Sequence, residues 1–187
     1  NINYRDLDNK KINIIDVDFK FSKTFDMISD KSNEYIKECF RIAIKLLKTN
    51  KYIGMINGPI SKKNFLKEKF LGITEYLAHK TKQKKFAMLI YNKNLSVCPI
   101  TTHLPLKDVS KNITKSKIIN QAKLIHSFYK KKFKKIPNIA ITGLNPHCES
   151  NYSSSEEKNI IIPSIEYLAK KKYQARWTIC CRHPFYE

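Results

Sequence analysis

Segments of helical period alternate with short apolar runs along this chain, and that alternation restricts the fold more than any other feature. Residues 27–49 place Tyr35, Ile36, Cys39, Phe40, Ile42, Ala43, Ile44, Leu46 and Leu47 at helical spacing behind a polar start at Ser32 and Asn33. The spacing predicts one long, well-buried amphipathic helix. Residues 114–133 repeat the pattern with Ile118, Ile119, Ala122, Leu124, Ile125, Phe128 and Tyr129, which predicts a second core helix. A third helix is expected from Ser154-Ser155-Glu156-Glu157, which has the Ser-x-x-Glu form of a capping box, through Ile160, Ile161, Ile162, Ile165, Tyr167 and Leu168. Pro163 either kinks it or sits in its first turns.

The intervening runs read as strands. Residues 11–21 alternate Ile12, Ile14, Val17, Phe19 and Phe21 with polar neighbours, as an edge strand would, and residues 52–57 form a brief apolar run into the Gly58-Pro59 turn, with Ser61-Lys62 as a helix entrance. Residues 86–91 and 95–101 flank Asn92-Lys93-Asn94 and should pair as a hairpin, and residues 136–142 form a further short strand. Helices alternating with short strands predict an α/β layered fold with helices on both faces of a mixed sheet.

Glycine is scarce, with four in 187 residues, and three lie in turns: Asn57-Gly58-Pro59-Ile60-Ser61-Lys62, Leu71-Gly72-Ile73-Thr74-Glu75-Tyr76-Leu77 and Thr142-Gly143-Leu144-Asn145-Pro146-His147. Each is expected to mark a backbone geometry closed to other residues. Two histidines, His103 and His147, sit just beyond short apolar runs. In an open α/β sheet ligands gather beyond the carboxyl ends of strands, so two imidazoles delivered there can meet on one metal ion or one substrate. The alternative is two unrelated surface histidines.

The net charge of +20 raises the question of nucleic acid. All but four of the 36 basic residues are Lys, however, and they are spread along the chain together with abundant Asn and Ile, as in proteins from genomes rich in A and T. The one dense run, residues 130–135, suits a helix C-terminus, where cations are favoured. The reading is therefore no nucleic-acid partner. Cys39, Cys98, Cys148, Cys180 and Cys181 show no C-x-x-C pair or even framework, which predicts reduced thiols in a cytoplasmic protein. No stretch is apolar enough for a membrane span, and the start at Asn1 points to a fragment or a processed protein.

Four motifs in this order, Asn57-Gly58-Pro59-Ile60-Ser61-Lys62, Gly72-Ile73-Thr74-Glu75-Tyr76-Leu77-Ala78, Thr101-Thr102-His103-Leu104-Pro105-Leu106-Lys107-Asp108-Val109 and Thr142-Gly143-Leu144-Asn145-Pro146-His147, resemble the 4-hydroxythreonine-4-phosphate dehydrogenase family. The resemblance is best over residues 51–172 and extends less closely over a partial domain of residues 1–174. It implies an isocitrate/isopropylmalate dehydrogenase-like α/β/α architecture and a homodimer with active sites at the subunit interface. It also implies oxidation of a phosphorylated substrate's 3-hydroxyl by NAD or NADP in vitamin B6 synthesis, followed by decarboxylation to 3-amino-2-oxopropyl phosphate. Family members hold a divalent metal (zinc, magnesium or cobalt) with three histidines, of which His103 and His147 match two. The third lies in a Tyr-His-Asp-Gln segment that this chain does not contain. The family's Gly-His-Thr-Glu turn binds substrate through its His and Thr; here Thr74 is kept and Ile73 replaces the His, which puts one contact in doubt.

The other polar candidates weigh less. Asp108 either orients a histidine or is an N-cap or solvated side chain, Glu75 is structural at a helix start, and Lys62 is one lysine among many that could approach a phosphate. His79 and His126 read as surface and core-edge histidines. A second reading is a truncated or degenerate relative that binds a metal or a phosphorylated metabolite without turnover. Residues 175–187 read as an out-of-frame tail. Residues 176–187 hold two of the four arginines, the only Trp (Trp177) and two of the five cysteines, and no Lys follows Lys172. Permitted codons for that tail, shifted by one base, read Gly-Gly-Pro-Tyr-Ala-Ala-Asp-Thr-Leu-Phe-Met, similar to the family's Gly-Pro-Tyr-Pro-Ala-Asp-Thr-Leu-Phe. Such a tail should pack poorly, and Cys180, Cys181 and His183 would then be no metal cluster. Gene codons incompatible with the shifted reading would remove it.

Overall fold

The computed structural model describes residues 10–24, 26–145, 148 and 153–178, the side chains of 177 and 178 excepted. The chain divides into two compact units, residues 1–77 and 78–187.

In the first unit a single 3-10 turn, Asp30–Ser32, leads into helix α1, Asn33–Leu47. The helix begins at the polar pair that the sequence marks, because the Asn33 amide ties its first turn down: Nδ2 donates to Asp30 Oδ1 at 3.0 Å and to the Asn64 carbonyl at 3.1 Å. Residues 26–29 are outside the helix, so the predicted start at 27 was too early. Burial on α1 is also narrower than its pattern suggested: only Asn33 and Phe40 are buried. Phe40 forms the unit's core with Phe65, Leu66 and Tyr76, its ring 5.8 Å from Phe65 and 5.3 Å from Tyr76. Phe65 and Leu66 come from α2, Lys62–Leu66, which starts after Ser61 as expected, and Tyr76 from α3, Ile73–Lys80, whose last residues run into the second unit.

Neither strand predicted in this unit forms. The described residues within 11–21 are irregular, with Ile12 91% and Ile14 84% exposed, and residues 52–57 are irregular with Ile53 and Ile56 exposed. A strand is stabilised by a neighbouring ladder, and no described segment offers either of them one.

In the second unit the hairpin is reduced to one antiparallel bridge. Ile90 and Val97 exchange both backbone hydrogen bonds, at 2.8 and 2.9 Å, across a turn held by the Asn92 side chain, whose Oδ1 accepts from the Asn94 N–H. One face of this ribbon rests on the long helix α5, Lys115–Phe133, where Tyr129 Oη meets Ser96 Oγ at 2.9 Å and Tyr91 stacks on Phe133. Its other face leaves Phe86, Met88, Ile90, Leu95 and Val97 40–57% exposed. Before α5 lies α4, Leu106–Asn112; Asp108 falls inside its first turn and is not its N-cap. The Thr114 hydroxyl caps α5 by accepting from the Lys117 N–H, and Lys130, Lys131 and Lys132 fill its last turn as expected.

Strand β1, Ile139–Thr142, pairs in parallel with β2, Ala175–Thr178, in the register Ile139 to Ala175 through Thr142 to Thr178. Parallel partners need a crossover, and α6, Ile162–Lys170, supplies it, preceded by a π-helical turn at Glu157–Ile161. Pro163 sits at the start of α6; lacking an N–H, it suits a place where the wider turn has already broken the regular hydrogen-bond ladder. Leu168 and Ser164 are fully buried, and α6 packs on both α5 and β2. The architecture is α/β, and among the described residues the sheet is a two-stranded parallel pair; the wider mixed sheet covered on both faces is not seen there. The first residues of the expected tail, 176–178, pair through their backbone with β1; the rest of it, with Cys180, Cys181 and His183, lies outside the described residues.

Candidate functional site

The two histidine-bearing segments both belong to the second unit and share one core. Ile100, three residues before His103, and Leu144, three before His147, pack on the same cluster of Ile113, Ile118, Ile161 and Ile165, together with Ile141 of β1. Hydrophobic burial thus seats Ile100 and Leu144 on one cluster. His103 itself is exposed and holds a left-handed backbone, φ 56°. A β-carbon makes that conformation cost about 1–2 kcal/mol, and such strain clusters where a side chain must be aimed. His147 lies outside the described residues, and among those described no three His, Cys, Asp or Glu side chains form a metal-binding group. Two imidazoles suit a divalent ion in kind, and the further ligand that the family resemblance calls for is not among the described residues.

The segment Gly143 to Asn145 is held by a buried carboxylate. Glu157 is 1% exposed, and its carboxylate accepts from the Leu144 N–H at 3.0 Å, the Asn145 N–H at 3.0 Å, Asn145 Nδ2 at 3.1 Å and Ser155 Oγ at 3.0 Å. Burial by itself would raise its pKa, but these hydrogen bonds outweigh it and hold the carboxyl below the ordinary glutamate range. On the far side, the Cys148 N–H donates to the Asn145 carbonyl at 2.9 Å. Buried Cys148 closes on the loop's start: a β-carbon placed on Gly143 would lie 2.8 Å from Cys148 Sγ. The lack of a side chain at Gly143 thus matters for closeness rather than for φ. No described glycine has positive φ, and Gly54 and Gly58 face open space, so the expectation of a special geometry at each glycine does not hold.

Glu157 was read in the sequence as half of a capping box with Ser154. It serves the Gly143 loop instead, and Ser155 Oγ, not Ser154, accepts from the Lys158 N–H. The sequence did hold the signal: at helical spacing, residue 157 falls on the stripe of Ile161, Ile165 and Leu168, where a carboxylate is out of place unless it holds hydrogen-bond donors.

In the first unit, Thr74 is exposed in the first turn of α3. Ile73, where the family has His, is half-buried against the Phe40 cluster, so its side chain serves the core. His79 is exposed, and His126 meets the Tyr173 ring edge-on at 4.8 Å, a core-edge position. Cys39, Cys98 and Cys148 are free thiols. No helix among the described residues is long and apolar enough to cross a membrane.

The family model for "Pyridoxal phosphate biosynthetic protein PdxA" matches residues 2–183. The 4-hydroxythreonine-4-phosphate dehydrogenase of Sulfurihydrogenibium sp. is 40% identical over 161 residues, covering 84% of this chain and 49% of that protein. The enzyme of the same name from Neisseria meningitidis serogroup A is 41% identical over 120 residues, covering 63% of this chain and 35% of that protein. Among solved structures, the 4-hydroxythreonine-4-phosphate dehydrogenase of Klebsiella pneumoniae superposes with a TM-score of 0.72 at 25% identity, over 82% of this chain and 48% of that one. That of Burkholderia phymatum, at 23% identity and a TM-score of 0.66, shares the fold. The chain spans about half the length of the relatives it matches or less. A family match running over nearly the whole sequence shows that the chain belongs to the PdxA family of pyridoxal phosphate biosynthetic proteins.

Proposed function

We propose that this chain is the part of a 4-hydroxythreonine-4-phosphate dehydrogenase that brings His103 and His147 to one divalent metal ion, zinc, magnesium or cobalt, at the substrate's 3-hydroxyl. The observation that carries this reading is the common seat of Ile100 and Leu144 on one core cluster, which fixes the segments leading to both histidines. When bound, the ion supplies Lewis-acid stabilisation of the charge that develops on the hydroxyl oxygen. The chain's own contribution would be to hold the two imidazoles toward the ion. NAD or NADP would accept the hydride from the substrate's 3-carbon, and the resulting β-keto acid would lose CO2 to give 3-amino-2-oxopropyl phosphate on the way to pyridoxal 5'-phosphate. The reading includes a homodimer of the full-length enzyme, an isocitrate/isopropylmalate dehydrogenase-like layered domain and a cytoplasmic location.

In a full-length enzyme carrying this sequence, His103→Ala should lower turnover of 4-phosphohydroxy-L-threonine with NAD at least a hundredfold while circular dichroism stays unchanged, an effect confined to the reaction and not the core. Undiminished NADH production with metal still bound would refute it. A second reading, binding of a metal or phosphorylated metabolite without turnover, is favoured by one observation: Ile73 has become core packing where the family presents an imidazole. Metal binding by the full-length protein with no NADH formed under any substrate concentration would select it.

A further inference from the structure

We propose that the pole of the second unit where α5 and α6 end is a docking surface for an anionic lipid bilayer. Two lysine runs adjoin there. Lys130, Lys131, Lys132, Lys134 and Lys135 close α5, and Lys170, Lys171 and Lys172 close α6; all are exposed, and none is ion-paired among the described residues. The chain leaves each helix through a lysine with left-handed backbone, Lys134 at φ 55° and Lys172 at φ 60°. It then enters β1 and β2, whose starts are joined by the Ile139 N–H donating to the Gln174 carbonyl at 2.8 Å. Both runs therefore lie beyond the amino ends of the paired strands. His126, one turn before Lys130, meets the ring of Tyr173, the neighbour of Lys172, at 4.8 Å, which fixes the second run beside the first.

Lysine is abundant in the whole chain, yet in this unit it is sorted. No Lys or Arg occurs from Ile136 through Glu157, the stretch that holds β1 and the loop after it. A helix dipole favours cations only in the last turn, whereas Lys134, Lys135, Lys171 and Lys172 lie past their helices. Glu166, one turn before Lys170, is the acid nearest in sequence to either run and forms no ion pair among the described residues. The apolar residues between the lysines favour a bilayer over a nucleic acid. Ile136, directly after Lys135, is 57% exposed, and Phe133, between Lys132 and Lys134, is 37% exposed. Tyr91, Phe128 and Tyr129 already engage the Phe133 ring, so it is no open platform for a base. An exposed Ile gains nothing from a phosphate backbone, but it gains from entering the boundary between headgroups and acyl chains, where apolar and basic residues act together. Neither run contains Arg, the residue of bidentate base readout.

Each Lys near an anionic lipid surface raises affinity roughly fivefold. The 187-residue chain should sediment with phosphatidylcholine vesicles carrying about 30% phosphatidylserine at about 0.1 M salt, and not with pure phosphatidylcholine. Lys134→Glu, Lys135→Glu, Lys171→Glu and Lys172→Glu together should weaken this at least tenfold. The same number of reversals elsewhere on the unit, at the exposed Lys84, Lys85, Lys107 and Lys115, should weaken it less than threefold, with circular dichroism unchanged in both. Ile136→Ser should weaken vesicle binding severalfold and leave binding to duplex DNA unaltered. Failure to bind the anionic vesicles, or equal losses in the two fourfold variants, would overturn the proposal. Tighter binding to duplex DNA than to vesicles, with Ile136→Ser without effect on either, would overturn the bilayer as partner in favour of a nucleic acid.

Discussion

His103 and Glu157 show two ways in which a single residue is held against its own preference. At His103 the cost is conformational. Replacing it by Gly should stabilise the folded chain by about 1 kcal/mol, because Gly adopts positive φ without steric conflict, while weakening divalent metal binding. Urea unfolding together with a cobalt titration checks this trade, and a destabilised variant would show that the imidazole itself holds the loop. At Glu157 the cost is desolvation, offset by hydrogen bonds that favour the charged form. Because its folded pKa lies below the unfolded value of about 4.3, its contribution to stability is complete above that pH and is lost as pH falls through the folded value. Urea unfolding free energies measured downward from pH 6 should therefore fall more steeply below about pH 4.3 in the wild type than in Glu157→Gln. Equal slopes would place the carboxylate outside the fold's acid response.

Among the elements, the long helices were legible, and of the expected strands residues 136–142 gave β1 while residues 11–21 and 52–57 gave none. α5 was readable to its cap because Thr114, its apolar stripe and its terminal lysines all agree locally. α1 began at the polar pair seen in the sequence, yet its broad apolar face contributes chiefly one buried side chain, Phe40, since burial depends on what α2 and α3 place opposite. Phe40→Ala should therefore cost about 3–5 kcal/mol, more than any other truncation on α1, by chemical denaturation; a loss under 1 kcal/mol would mean that Phe65 and Tyr76 close over the gap. Residues 11–21 and 52–57 have strand patterns but no partner, and pairing is a tertiary event that alternation cannot supply. The order of motifs pointed to the family, and the two histidine segments were found from their place after apolar runs. The Glu157 anchor escaped because its Ser-x-x-Glu context offered a local explanation, and only folding revealed donors twelve and thirteen residues away.

At the scale of the molecule, the charge of +20 and the two-sided apolar ribbon act against each other. The outward row of Phe86, Met88, Ile90, Leu95 and Val97 favours contact between copies, while self-repulsion holds them apart. Salt shortens the range of the repulsion to about 8 Å near 0.15 M without weakening apolar attraction. The isolated chain should thus behave as a charge-stabilised colloid: light scattering should report single chains at low ionic strength and growing clusters as sodium sulfate is added, and Ile90→Lys should move the onset to higher salt. This is the reverse of a chain held to a polyanion, which salt would release, so the direction of the response alone tells which force governs its company in solution.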